Sequence, residues 1–376
     1  MAASRGFSKL LRSPLNCYFA APLTVTSRRY ASVKAQSVMY KEYGDPGKVL
    51  RLFLIDWLRS LEFVDREVIG PSSVGVQMVA APVNPSDINM IQGSYAIKPA
   101  LPAVGGNEGC GQVIKMGKEV KGVKEGDFVI LAESGLGSWT RYHVLSEDQV
   151  IKVPDYISVE MAATLSVNPC TAYRMLKDFE HLKPGDTVIQ NGGNSGVGRA
   201  VIQLAAAWGI KTVNIVRDRP NLDVMVKELT DLGATHVVTE DFCRTPEMAN
   251  FMKDLRPVKL GLNCVGGKSA TEVTRQLSDQ GSIVTYGGMS KKPFLVPTGQ
   301  LIFKDIRVRG FWMTAWNKHN TKSSERVSMI DEICQLHKDG KFSPPPCNKH
   351  ALEHFQEAVG AAMQQYSTAK QLLTMT

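Results

Sequence analysis

Lys183-Pro184-Gly185-Asp186, then Thr187-Val188-Ile189-Gln190-Asn191, then Gly192-Gly193-Asn194-Ser195-Gly196-Val197-Gly198: here a turn feeds a short apolar run, and the run enters a glycine-rich turn. Downstream, Val197, Val201, Leu204 and Trp208 recur at helical spacing and Gly209 supplies a stop, so the order is strand, glycine turn, helix. That order suits a dinucleotide pyrophosphate, because backbone N–H groups at a helix start can bind phosphate oxygens and glycines keep side chains out of the way. The spacing is GxxGxG rather than GxGxxG, and a tight turn that only packs a helix on a sheet uses the same residues.

Working outward, further apolar runs at Thr212 to Val216, His236 to Glu240, Leu260 to Cys264 and Ser282 to Tyr286 alternate with helical stretches. The alternation predicts a parallel sheet covered by helices. Upstream, Gly, Pro and short β-branched runs such as Val76 to Val79, Gly111 to Lys115 and Phe128 to Leu131 predict a β-rich domain. After Ser323 a helical pattern returns, is broken at Pro344-Pro345-Pro346, and ends in a helix near Leu352 to Met363. The expected class is α/β, with a leader over 1–36, a β-rich domain over 37–167, a nucleotide-binding domain over 168–318 and a return to the first domain over 319–376. A length of 376 residues fits two domains.

The strand Thr212 to Val216 ends in Arg217-Asp218-Arg219, about 20 residues past the glycines, where the residue facing the adenosine ribose sits. An acid there would accept from the 2′-hydroxyl of NAD. Arg217 and Arg219 instead suit a 2′-phosphate through charge-assisted hydrogen bonds, which favours NADPH. A solvated loop would carry the same arginines, and Asp218 keeps NADH open.

Composition bounds the rest. At 43% hydrophobic and 21% charged residues the chain has a globular balance, and no apolar run reaches the roughly 20 residues needed to cross a bilayer. Seven cysteines (Cys17, Cys110, Cys170, Cys243, Cys264, Cys334, Cys347) are scattered singly without a CxxC pair, against both a disulfide framework and a structural zinc knot. The net charge of +8 raises nucleic-acid binding, but Arg5, Lys9, Arg12, Arg28, Arg29 and Lys34 all precede the first acid, Glu42. An acid-free leader rich in Arg, Ser and Ala has the composition of a mitochondrial transit peptide, with Arg28-Arg29-Tyr30 before Ala31-Ser32 as a processing site; a disordered basic tail shares that composition. The basic charge is therefore an address, and no nucleic-acid partner is expected.

Gly105-Gly106-Asn107-Glu108-Gly109-Cys110-Gly111, Lys124-Glu125-Gly126-Asp127 and the glycine turn together resemble the medium-chain dehydrogenase/reductase superfamily, whose members join a GroES-like domain to a Rossmann domain. Its zinc-dependent branch carries His where this chain has Asn107, and an amide does not replace an imidazole at zinc. No metal is therefore expected. Asn84-Pro85-Ser86-Asp87-Ile88-Asn89-Met90-Ile91-Gln92-Gly93-Ser94-Tyr95, Val167-Asn168-Pro169-Cys170-Thr171-Ala172-Tyr173, Val265-Gly266-Gly267-Lys268-Ser269 and Phe303-Lys304-Asp305 are more specific. They resemble the mitochondrial 2-enoyl thioester reductases, and the match runs from about Met39 to Met375.

The resemblance implies NADPH-dependent reduction of trans-2-enoyl thioesters in mitochondrial fatty-acid synthesis, in the matrix, by a homodimer acting on a substrate held by acyl carrier protein. It implies Tyr95 as the proton donor. Asn168, Asn194, Ser195, Gly196, Val197, Arg217, Asp218 and Arg219 would contact the cofactor, while Tyr286, Gly287, Gly288, Met289, Phe311, Trp312, Met313, Thr314 and Lys370 line the nicotinamide side. The chemistry is intelligible by itself: hydride addition to the β-carbon pushes charge onto the thioester oxygen, and a phenol can both donate to that oxygen and protonate the α-carbon. Cys110, Cys170 and Cys264 have no sequence neighbour that would activate them and read as small buried residues. Arg51 to Ser60 reads as an apolar insertion between the first two strands, either a surface patch or a hairpin extension. Two other functions stay open, an NADPH:quinone reductase and an NADPH-binding protein without turnover.

Overall fold

The computed structural model describes residues 34–56, 69–255, 257–321, 323–364 and 369–375. Most of the expected leader lies outside them, and residues 34–36 already belong to the first strand. The first half of the chain forms β1 (Lys34–Tyr40), β2 (Arg51–Asp56), β3 (Ser73–Pro82), β4 (Ala103–Val104), β5 (Cys110–Met116), β6 (Phe128–Leu131), β7 (Tyr142–Ser146) and β8 (Val150–Lys152). β1 pairs antiparallel with β2, from Lys34 opposite Asp56 to Met39 opposite Arg51, and with β4 on its other edge. Arg51 to Asp56, read from sequence as the start of an insertion, is thus a paired strand; Leu52 and Phe53 are half-buried and Leu54 is 66% exposed. Residues 57–60 of that stretch lie outside the described residues.

The second half contributes β9 (Thr187–Asn191), β10 (Lys211–Val216), β11 (His236–Thr239), β12 (Val258–Asn263), β13 (Ser282–Thr285) and β14 (Arg307–Gly310). All pair in parallel, in the order β11-β10-β9-β12-β13-β14. Every residue of β9 is buried, Thr187, Gln190 and Asn191 along with Val188 and Ile189, as expected where helices cover both faces of a parallel sheet. Strand order reverses between β9 and β12, and a crevice opens beyond the carboxyl ends of strands at such a switch point. β14 was not anticipated; its Arg-Val-Arg-Gly run is exposed at all four positions on the sheet edge, so no burial pattern marks it.

The chain then returns to the first half. β15 (Cys347–Ala351) and β16 (Lys370–Thr374) join a seven-stranded sheet in the order β15-β16-β3-β5-β6-β8, with β7 on β3. β16 runs antiparallel to β3, Leu373 opposite Ala81. The largest apolar cluster crosses from this sheet to the parallel one: Ala80, Cys110 and Ile130 share it with Met175 and Leu176 of helix Asn168–Asp178, with Val188, Leu260 and Leu262, and with Met329 and Ile333 of helix Ser324–Lys338. Buried side chains packed at crystal-like density resist rearrangement, so this cluster fixes the sheet ends that frame the site.

Candidate active site

The glycine turn forms as the sequence implies. Helix Gly196–Ala207 starts at the Ser195 cap, whose hydroxyl accepts from the Gly198 N–H at 3.1 Å. A Cβ on Gly198 would lie 2.5 Å from the Gly192 carbonyl oxygen, and one on Gly196 would lie 2.8 Å from the Asn168 side-chain nitrogen. Only glycine lets helix, turn and the start of helix Asn168–Asp178 approach this closely. The Asn168 amide nitrogen is itself buried with no protein partner, so a polar group remains to be satisfied beside the helix start. A dinucleotide pyrophosphate or ribose fits that demand, and Asn168, Asn194, Ser195, Gly196 and Val197 are the residues that could hold it.

Two asparagines missed from sequence tie the switch point together. Asn191 Nδ2 donates to Asn263 Oδ1 at 2.8 Å, and Asn191 Oδ1 accepts from the Cys264 N–H at 2.9 Å. Polar residues closing otherwise apolar strands were the available signal. The loop after β13 runs beside this junction: the Tyr286 N–H donates to the Asn263 carbonyl and the Met289 N–H to that of Cys264, both near 3.0 Å. Burial and the neighbouring Cys264 push the Tyr286 phenol well above its ordinary range. Gly288 and Met289 are exposed on the crevice rim. Arg217, Asp218 and Arg219 follow β10 at its carboxyl end, and the Asp218 carboxylate accepts from the Arg219 N–H at 2.8 Å.

Tyr95 and Trp312 meet from opposite halves of the chain. Helix Pro85–Ile91 ends in a turn at Gly93, which takes φ +71°, and the Tyr95 N–H donates back to the Asn89 carbonyl at 3.1 Å. Trp312 caps helix Met313–His319, and its Nε1–H donates to the Tyr95 hydroxyl at 2.9 Å. Phe311 packs edge-on against Phe179, Met313 and Thr314 are buried, and the hydroxyls of Thr314 and Ser134 lie 3.2 Å apart.

The start of helix Pro85–Ile91 joins a buried polar network. Asp87 accepts from the Asn84 N–H at 2.7 Å and from Asn107 Nδ2 at 2.6 Å, while Asn107 Oδ1 accepts from the Gly135 N–H at 2.8 Å. Both ends of the Asn107 amide are thereby committed. Glu108 accepts from Asn84 Nδ2 at 2.6 Å and from the Val167 N–H at 3.0 Å, next to Asn168. Lys370 donates to Asn84 Oδ1 at 2.6 Å, so its ammonium sits in this network. Burial pushes the Asp87 carboxyl up to about 7 and raises Glu108 as well, and it lowers Lys370 against the pull of both acids. Cys110, Cys170 and Cys264 are buried, and burial pushes the first two thiols up to about 12. Among the described residues no group of His, Cys, Asp and Glu could hold a metal ion.

Residues 70–155 match the family model described as alcohol dehydrogenase GroES-like domain, and residues 196–329 match the one described as zinc-binding dehydrogenase. The fold is thus a GroES-like β-rich part joined to a Rossmann-type parallel sheet. The human mitochondrial enoyl-acyl-carrier-protein reductase is 50% identical over 342 residues, covering 91% of this chain and 89% of that protein. This chain belongs to the mitochondrial enoyl-acyl-carrier-protein reductase family. Within the solved structures, the Etr1p/NADP/crotonyl-CoA complex aligns with a TM-score of 0.82 at 35% identity, covering 91% of this chain and 100% of that one. The mitochondrial 2-enoyl thioester reductase Etr1p/Etr2p heterodimer from Candida tropicalis gives a TM-score of 0.83 at 35% identity, with the same coverage. The described part of this reductase-family chain therefore includes the seven-stranded sheet, the parallel sheet and the switch point at β9 and β12.

Proposed function

We propose that this protein uses NADPH to reduce trans-2-enoyl thioesters to saturated acyl thioesters in mitochondrial fatty-acid synthesis. The Trp312–Tyr95 hydrogen bond carries the reading, in a chain half identical to a human enoyl reductase. NADPH bound in the crevice supplies a hydride to the β-carbon of the enoyl group. The chain's own residues manage the charge and the proton. As charge builds on the thioester oxygen, the Tyr95 hydroxyl, which accepts from Trp312, keeps its own hydrogen free to donate, and that proton ends on the α-carbon. The Trp312 N–H then stabilises the phenolate oxygen left behind.

Asn168 and the Asn194 to Val197 turn hold the pyrophosphate side, and Arg217 and Arg219 read the 2′-phosphate with Asp218 bracing their loop. Tyr286, Gly287, Gly288 and Met289 line the nicotinamide side with Phe311, Trp312, Met313 and Thr314, and Lys370 acts there through Asn84 and Glu108. We divide the chain into a catalytic domain over 37–167 and 319–376 and a cofactor domain over 168–318; the pairing of β16 with β3 supports the return. The acid-free leader expected over 1–36 acts as the transit peptide, cut at the Arg28-Arg29-Tyr30 site so that β1 keeps Lys34 to Gln36, and the relatives' printed names carry the same compartment.

The substrate is carried by acyl carrier protein, as the human relative's name states for that protein; coenzyme A, present in the Etr1p complex, is the alternative carrier. The working form is a homodimer through the β14 edge, where an exposed edge strand paired with β13 follows Ile302 and Phe303, 67% and 82% exposed. The test is NADPH oxidation by the purified chain with a trans-2-enoyl thioester on each carrier, beside a quinone. Reduction of the thioester is expected; reduction of the quinone alone overturns the reading.

A further inference from the structure

We infer that Arg174 is a positioning residue that holds Trp312 on Tyr95, an inference resting on the proposed function. Arg174 lies on helix Asn168–Asp178 and is 5% exposed. Its Nε donates to Asp178 Oδ2 at 2.8 Å, and its Nη2 donates to the other Asp178 oxygen and to Glu325 Oε1, the latter at 2.6 Å. These bonds fix the plane of the guanidinium. Its central carbon stands 4.6 Å from the centre of the Trp316 ring, so the cation rests on an aromatic face in a largely desolvated place, where this attraction is strongest.

Trp316 lies one helical turn after Trp312, and its N–H donates to the Trp312 carbonyl at 3.1 Å. Trp312 itself is 39% exposed, so the helix behind it decides where its indole N–H points. Arg174 clamps that helix from the nucleotide-binding side, while Thr314 meets Ser134 from the β-rich side at 3.2 Å. The floor under the clamp is rigid: Glu332 accepts from Tyr173 at 2.6 Å and from the Trp208 indole at 3.0 Å, joining helix Ser324–Lys338 to the helix of Arg174. A point charge alone would satisfy Asp178 and Glu325. The planar stack on Trp316 is the part that reaches the reaction, through one turn of helix.

The experiment uses the full chain with Arg174→Met, Trp316→Leu and Trp316→Phe, each alone and combined with Trp312→Phe, which already lacks the indole N–H. Single-turnover enoyl reduction should slow about 3- to 10-fold in Arg174→Met and in Trp316→Leu, the scale of losing one cation–aromatic contact and no more than the loss of the Trp312 N–H itself. Trp316→Phe, which keeps an aromatic face, should retain most of the rate. NADPH affinity should stay within about two-fold, and in the Trp312→Phe background Arg174→Met should cost less than about two-fold more, because coupled residues are not additive. The same fractional loss in both backgrounds, or no loss, overturns the proposal. If Arg174→Met does not fold, the Trp316→Leu and Trp316→Phe pair decides by the same criteria. Fluorine NMR of fluorotryptophan-labelled protein gives a readout free of catalysis: the Trp312 resonance, assigned by its loss in Trp312→Phe, should move in Arg174→Met, and a resonance that stays put overturns the proposal. A moved resonance in a chain that never reduced enoyl thioesters would instead overturn the proposed function and leave the clamp standing.

Discussion

The indole N–H of Trp312 donates to the phenol oxygen of Tyr95 at 2.9 Å, joining residues 217 positions apart with their rings edge to face at 83°. Tyr95→Phe keeps the ring and removes the proton, so turnover should fall by roughly two to four orders of magnitude, the scale of losing a positioned acid or oxyanion donor. Trp312→Phe removes only the supporting donor and should cost about ten-fold, close to one hydrogen bond to a charged group. Single-turnover rates measured beside NADPH affinity check both; near-native chemistry in Tyr95→Phe removes it as the donor.

Cofactor choice tests the rim beyond β10. Arg217→Ala combined with Arg219→Ala should weaken NADPH far more than NADH, because only NADPH presents a phosphate for guanidinium groups to pair with. Loss of two charge-assisted contacts is worth about 2–4 kcal/mol, or on the order of 30- to 1000-fold. Equal losses for the two nucleotides, measured by fluorescence titration, would give the arginines another task.

Stability should depend on pH through Asp87. Burial raises its carboxyl from 3.8 to about 7, so between those values the folded chain holds a proton that the unfolded chain has released. Folding is therefore favoured at the acid end of the window and loses that advantage as pH rises to about 7; buried Glu108 acts in the same direction, and the nearby Lys370 opposes it at higher pH. Asp87→Asn should flatten the fall in Tm across this range. Melting curves for the two proteins that stay parallel from about pH 4 to about pH 7 would exclude Asp87 as the source.

Metal removal should change nothing. The Asn107 amide donates to Asp87 and accepts from Gly135, so both of its ends are engaged in the place where zinc-dependent relatives carry a histidine. Exhaustive chelation is expected to leave turnover intact, and stoichiometric zinc lost together with activity would contradict it.

Legibility followed burial. β9 was readable from its Val188-Ile189 pair set between the Gly185 turn and the glycine turn, and the helix after it from Val197, Val201, Leu204 and Trp208 at helical spacing. β14 was not, since a fully exposed edge strand carries no periodic signal. Within the site, the glycines announced themselves through backbone demands that few other residues meet. The contact between Trp312 and Tyr95 left no local trace, because two aromatic residues far apart in sequence carry no spacing rule that links them. The same holds for Asn84, Asp87, Glu108 and Lys370, which β16 and helix Pro85–Ile91 bring together only after the sheet closes.

The slot that β16 occupies between β15 and β3 has a temporal meaning. Strands β9 to β14 come from one uninterrupted stretch and can pair as soon as that stretch leaves the ribosome or the import channel. The other sheet has a gap beside β3 that only residues 370–374 fill, and their long-range pairing is the slow kind. The nucleotide crevice can therefore take shape before the proton donor's surroundings do, and a chain cut short by its last seven residues would retain a place for the cofactor while losing the strand, and the lysine, that complete the reaction chamber.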